Sequence, residues 1–305
     1  MSISRRRFLQ LSALTGAALS AKSFAAFPFS SGEGKARFTP PPGSVDCHMH
    51  IYDNRYPAAP GAKLLPPNAS LQDYRQIQER INIQRMVIVN PSTYGTDNRI
   101  VLDAIKASNG NARGVAVVTN TITDAELAAM HEGGIRGIRF NISLGGANLD
   151  ELEVLAARAA SLGWHLQVVA PGDQWVELEP RLQRLRSTVV IDHMGHVPSL
   201  GGTDTPAFAA LQRLLDNGRT WVKLSGPYMD SKKGEPYSDV APVATRLVDV
   251  YSERLVWGSD WPHPRAETLK PDDALLLDLF AQWAPDSAKQ VRILRDNPAK
   301  LYGFA

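Results

Sequence analysis

Four short apolar runs end in residues suited to acid–base chemistry. His48 and His50 stand two apart in the run 45–51, and Arg139 comes near the end of 134–140 with Asn141 next. His193 follows Asp192 within 188–194, and Asp260 closes 254–260. Imidazole gives or accepts a proton near neutrality, a carboxylate takes one from water, and a guanidinium fork binds a carboxylate through parallel N–H bonds. Such a set suits attack of activated water on a carbonyl carbon in an acidic substrate. Two histidines with a late aspartate are also the skeleton of a mononuclear zinc centre, which leaves one position open for water.

These groups act together only if the fold brings distant segments to one place. Eight strand-like runs recur at 45–51, 85–90, 113–119, 134–140, 165–170, 188–194, 220–225 and 254–260. Helical patterns separate them at 71–81, 99–107, 124–132, 149–160, 174–185, 207–215 and 240–251, and another runs from Asp272 onward. Alternating strands and helices predict a parallel sheet with crossover helices, and eight such units match a closed (β/α)8 TIM barrel. A doubly wound sheet would place a glycine-rich phosphate loop after its first strand, where this chain has His48-Met49-His50. A single barrel domain over 45–305 is therefore expected.

Barrel enzymes gather their reacting groups at the carboxyl ends of the strands. In that frame His48, His50, His193, Arg139 and Asp260 converge, and a hydrophobic barrel has no packing reason to hold so many ionisable groups at one mouth. Strand alternation points Cys47 away from His48, towards the helices, as packing. His165 opens the fifth run and is expected at the opposite, structural face, and His131 is expected to be solvated on its helix. His196 and His263 lie in loops beyond the mouth, where His263 either reaches a ligand or supports a residue that does.

The chain has 305 residues, 44% hydrophobic and 21% charged, and a formal net charge of +2, which argues against a nucleic-acid or polybasic membrane-surface protein. One cysteine excludes a disulfide framework within the chain and a cysteine-rich metal site. Ser4 to Gln10 reads SRRRFLQ, and the apolar run to Ala21 is shorter than the ~20 residues that span a bilayer. With the small-x-small sequence Ser23-Phe24-Ala25, this looks like a twin-arginine export signal. Residues 1–25 are expected to engage the twin-arginine export machinery and be removed. That leaves an extended arm over 26–44 and a periplasmic protein without a membrane span.

The segments VDCHMHIYD, GIRGIRFNIS, VVIDHMGHVPS, WVKLSG, LVWGSDWPHP and DNPAKLYGF resemble the 2-pyrone-4,6-dicarboxylate hydrolase group of the amidohydrolase superfamily, which also includes sugar-acid lactonases and lactone isomerases. The resemblance implies a distorted barrel that opens lactone rings without a required metal. It implies that Asp260 activates water, that His48, His50 and His193 polarise or hydrogen-bond the substrate, and that Arg139 holds a carboxylate.

Departures from that group bear on specificity. Its dicarboxylate hydrolases carry further arginines after strands four and seven, where this chain has Leu144-Gly145-Gly146 and Gly226-Pro227-Tyr228-Met229. Fewer cationic forks favour a sugar-derived aldonic, uronic or aldaric lactone over a pyrone dicarboxylate, with Tyr94 and Tyr228 either as hydroxyl contacts or as packing in their loops. The metal-dependent pattern adds a histidine after strand five, where this chain has Val168-Val169-Ala170, and the Arg139 cation would repel a divalent ion. No cofactor is therefore expected, with only adventitious zinc at His48, His50 and Asp260. The rival readings are a lactone isomerase, a metal-dependent decarboxylase and a non-catalytic sugar-acid binder.

Overall fold

A computed structural model describes residues 27–143 and 149–305. The export-signal segment 1–25 and the stretch 144–146 lie outside the described residues. Eight parallel strands are hydrogen-bonded in chain order: β1 (Val45–Met49), β2 (Arg85–Val89), β3 (Ala112–Ala116), β4 (Ile135–Asn141), β5 (His165–Val169), β6 (Thr188–Ile191), β7 (Thr220–Leu224) and β8 (Leu255–Trp257). The predicted TIM barrel is the observed fold.

Helices α1 (Leu71–Ile81), α2 (Arg99–Lys106), α3 (Asp124–Glu132), α4 (Leu152–Ser161), α5 (Trp175–Arg184) and α6 (Pro206–Asp216) each follow one strand. After β7 come α7 (Pro227–Asp230) and α8 (Ala241–Tyr251), and after β8 come α9 (Asp273–Trp283), α10 (Ser287–Val291) and α11 (Asn297–Tyr302). Local chemistry sets several starts. Ser70 and Asp73 form a reciprocal capping box on α1, as do Thr123 and Glu126 on α3, and Thr205 caps α6 ahead of Pro206.

Most of the core lies between the strands and the helices. A second cluster, with Val45, Cys47, Val87, Val89, Val115, Val190 and Val256, fills the barrel interior with Trp221, Tyr302 and Phe304. Each buried valine contributes roughly 1.5–3 kcal/mol relative to exposure. Cys47 therefore faces inward, not towards the helices as strand alternation predicts. The cause is a register shift between Asp46 and Met49, which rotates β1. Asp46 accordingly faces outward and accepts from the Tyr74 hydroxyl of α1 at 2.7 Å.

The barrel closes through a short seam. The Asp260 N–H donates to the His48 carbonyl at 2.8 Å, and the His50 N–H donates to the Trp261 carbonyl at 2.8 Å. Beneath them the Asp46 carboxylate accepts from the Ser259 N–H at 3.0 Å, the Ser259 hydroxyl at 2.5 Å and the His48 N–H at 3.1 Å. Gly258 permits this approach, because a Cβ there would lie 2.6 Å from the His48 Cβ. β8 is shorter than the run 254–260 because its continuation leaves the strand path to pair with β1, and Asp260 takes φ of 64° in doing so.

Candidate active site

The carboxyl ends of β1, β4, β6 and β8 deliver five of the expected groups to one buried cluster. His48 Nε2 and His50 Nε2 lie 3.2 Å apart, and each is 3.4 Å from Asp260 Oδ1. His193 packs on His48 with ring centroids 4.7 Å apart, and its Nδ1 meets the Ser225 hydroxyl at 2.9 Å. The Tyr228 hydroxyl, from α7, donates to Asp260 Oδ2 at 2.6 Å. A cavity at the mouth is lined by His50, His193, Asp260, Arg139 and Asn141, together with Tyr52, Ser92, Ser143, His196 and Arg265.

Backbone strain marks the same place. Of nine non-glycine residues with positive φ among the described residues, five are His193, Met194, His196, Asp260 and His263. Such conformations cost about 1–3 kcal/mol each and persist where the surroundings over-determine them. Gly226 makes room for the turn at His193, since a Cβ there would come within 2.9 Å of the His193 Nδ1.

Tyr94, His263 and Tyr228 fall outside the cavity wall, whereas His196 lines it. Tyr94 is buried, with its hydroxyl accepting from the Asp53 N–H at 2.8 Å and donating to the Asp53 carbonyl at 3.1 Å; Tyr52 takes the place at the wall. His263 is fully buried, and its Nε2 meets Asp273 at 3.2 Å. Tyr228 acts on the carboxylate of Asp260. His196 pairs with Asp230 at 3.0 Å. His131 is not simply solvated: its Nδ1 accepts from the Trp164 indole at 2.9 Å. His165 is buried at the amino end of β5 against Tyr302.

Sequence reading missed the polar layer beneath the cluster. Lys223 of β7 donates to Gln167 Oε1 at 2.6 Å and to His48 Nδ1 at 3.3 Å, and its Nζ is 3.4 Å from Asp192 Oδ1. Gln167 Nε2 donates to Asp192 Oδ2 at 2.9 Å, and Arg139 Nε lies 3.6 Å from that oxygen. Lys223, Gln167, Asp192 and His48 are all fully buried. A charged residue inside a strand of a parallel barrel was the available signal, since such strands ordinarily read as unbroken apolar runs.

Burial pushes the His48 imidazole down to about 4, reinforced by the Lys223 ammonium and opposed by Asp192 and Asp260. Burial likewise holds His193 well below the ordinary imidazole range. Burial alone would raise Asp260, but His193, His50 and His48 outweigh it and hold the carboxyl well below the usual carboxylate range. The cluster thus presents the Asp260 carboxylate beside His48 and His193, both lowered by burial, with Oδ2 pinned by Tyr228 and Oδ1 turned to the histidines.

The donor spacing would admit a small cation, because three corners of a tetrahedral zinc site are about 3.3 Å apart. His48, His193 and Asp260 also offer ligand atoms within 4.8 Å of one another. Two cations stand near this cluster, the Lys223 Nζ directly behind His48 and Arg139 at the cavity, and both face the Asp192 carboxylate, at 3.4 and 3.6 Å. β5 supplies Val169 to the wall and no histidine.

A family model described as Amidohydrolase matches residues 45–304. The chain is 38% identical over 282 residues to the 2-pyrone-4,6-dicarboxylate hydrolase of Comamonas testosteroni, covering 88% of this chain and 92% of that protein. It is 37% identical over 267 residues to the D-galactarolactone isomerase of Agrobacterium fabrum, covering 86% and 91%. Among solved structures, an apo protein from Agrobacterium tumefaciens superposes with a TM-score of 0.84 at 35% identity, over 91% of this chain and 99% of that one.

Proposed function

This chain belongs to the amidohydrolase family, and on that premise we propose that it is a lactonase that opens the ring of a carboxylated sugar lactone, using Asp260-activated water and no metal. The observation that carries the reading is the Asp260 carboxylate, held well below the usual range beside the buried His48 and His193 and lining a cavity that also holds Arg139. Ring opening of a carboxylated lactone requires a base for water, donors for the developing oxyanion and a cation for the free carboxylate.

Arg139 binds the free carboxylate. Asn141, Ser92 and Ser143 line the same cavity and suit ring hydroxyls better than a flat pyrone. With the Ser225 hydroxyl donating to His193 Nδ1, the His193 Nε2–H is available to the lactone carbonyl. Asp260 takes a proton from water as the water oxygen bonds to the carbonyl carbon. The tetrahedral oxyanion collapses, the bond to the ring oxygen breaks, and Asp260 returns the proton to that oxygen.

The likeness to a lactone isomerase supports a second reading, in which a substrate hydroxyl replaces water and Asp260 takes its proton instead. The test is a panel of aldonic, uronic and aldaric lactones and the pyrone dicarboxylate, followed by acid release with and without a chelator. Acid release that survives chelation supports the lactonase. Consumption of lactone without acid identifies the isomerase, and loss of activity with chelator overturns the metal-free step.

Export by the twin-arginine route is part of the same proposal, resting on Arg5, Arg6 and Ser23-Phe24-Ala25. Changing Arg5 and Arg6 to lysine should retain the precursor in the cytoplasm. Unchanged periplasmic yield would overturn it.

A further inference from the structure

A line of hydrogen bonds runs from Lys223 through His48 and His50 to the Val89 carbonyl. Lys223 Nζ meets His48 Nδ1 at 3.3 Å, His48 Nε2 meets His50 Nε2 at 3.2 Å, and His50 Nδ1 meets the Val89 carbonyl at 2.8 Å. An ammonium can only donate and a carbonyl can only accept. The direction of the line is therefore fixed at both ends: Nδ1 of His48 accepts, its proton sits on Nε2, and Nε2 of His50 accepts that proton's hydrogen bond.

The opposite tautomer has a contested acceptor. Asp192 Oδ1, 3.3 Å from His48 Nδ1, also faces the Lys223 ammonium at 3.4 Å, so a proton on Nδ1 would compete with that ammonium for one oxygen. A proton on Nδ1 would also face the Lys223 ammonium, donor against donor. The three N–H groups of that ammonium have three acceptors nearby, Gln167 Oε1, His48 Nδ1 and Asp192 Oδ1.

We propose that Lys223 is a positioning residue that locks His48 as the Nε2–H tautomer, and so makes the histidine and aspartate cluster a proton-bearing site from which a divalent cation is excluded. A cation seated between His48, His50 and Asp260 needs a bare Nε2 on both rings. Here one Nε2 carries the proton and the other accepts its hydrogen bond. The arrangement leaves Asp260 Oδ1 for water, so the inference deepens the metal-independent reading given above and rests on it.

The test needs no substrate, so a failure to find the lactone leaves it intact. In the wild-type chain with ¹⁵N-labelled histidine, long-range ¹H–¹⁵N correlation should give His48, assigned through His48→Asn, a pyridine-type Nδ1 and a protonated Nε2. The reverse pattern overturns the proposal whether or not any variant folds. Lys223→Met, and Lys223→Met with Asp192→Asn to remove the buried pair together, should release the tautomer and bind zinc ~10–100-fold more tightly in competition with a chromophoric chelator, the range that groups orienting metal ligands command. Equal zinc affinity in wild type and in either folded variant overturns it as well.

Discussion

Asp260 donates its backbone N–H to the carbonyl of His48 across 2.8 Å, so the proposed general base and the first imidazole are joined by the hydrogen bond that closes the barrel. Closure and site assembly are therefore one event. Asp46 lies under that seam and gathers four donors, from Ser259 (N–H and hydroxyl), Tyr74 and His48, at the edge where β8 meets β1. A carboxylate is acceptor-only, and this is the one group that satisfies all four.

Asp46→Asn should damage stability and turnover together. The amide turns two acceptor sites into donors facing other donors, and each buried donor left unpaired costs about 1–3 kcal/mol. Thermal unfolding and kcat measured on the same preparation check this. A variant with unchanged melting temperature and activity would show that the seam does not depend on Asp46.

Asp260→Asn and Tyr228→Phe should separate the base from the group that orients it. Loss of the base removes general-base catalysis, about 10²–10⁴-fold in kcat, while the seam hydrogen bond, which is backbone, survives. Loss of the Tyr228 hydroxyl frees Oδ2 and lowers kcat by less, with little change in KM. Equal losses for the two variants would place Tyr228 on the substrate.

Much of this site was legible because its polar residues interrupt apolar runs at their carboxyl ends. His48, His50, His193 and Asp260 stand where a barrel strand stops, and α1 is read at Leu71–Ile81 from its periodicity. The layer below was not. Lys223 sits inside β7 between Val222 and Leu224, where periodicity expects packing, and only its contacts give it meaning. The inward turn of Cys47 comes from a register shift that residue spacing does not encode. Tyr52 and Tyr94 are equivalent in type, and only the route of the loop after β1 decides which one reaches the cavity.

The acid limb of kcat/KM should lie far below that of an ordinary imidazole. With Asp260 held low and His48 near 4, the Asp260 carboxylate and a neutral His48 coexist from neutrality down to about pH 4. The profile should stay flat to about pH 5 and fall as His48 protonates. Stability carries two opposite signs. His48, lowered from 6.5, contributes stability that is present above 6.5 and lost as pH falls towards 4. Asp46, raised by burial from 3.8 to about 6, contributes stability that is present below 3.8 and lost as pH rises through 6. His193 and His165, both lowered by burial, carry the same sign as His48, so the wild-type melting temperature should fall from pH 7 to pH 4, and that of His48→Asn should fall less. An inflection near 6.5 traced to His48 by its ¹⁵N shifts would contradict that neutral ring.

The two arginines of the cavity should differ in weight. Arg139 is 5% exposed, rooted in β4 and backed by Asp192, so its fork meets a substrate carboxylate where water competes poorly. A charge-assisted bond there is worth about 1.5–3 kcal/mol, so Arg139→Met should raise KM for carboxylated lactones roughly 10–100-fold and leave neutral lactones nearly unchanged. Arg265 reaches the same cavity from the exposed loop after β8, where solvent screens it, and Arg265→Ala should raise KM only a few-fold. Raising the salt concentration should erode the Arg265 contribution and spare that of Arg139, since buried pairs are screened much less. KM for one acidic and one neutral lactone, taken at two ionic strengths for wild type and both variants, decides the matter. If Arg139→Met leaves the acidic KM unchanged, the carboxylate binds elsewhere and the substrate assignment falls with it.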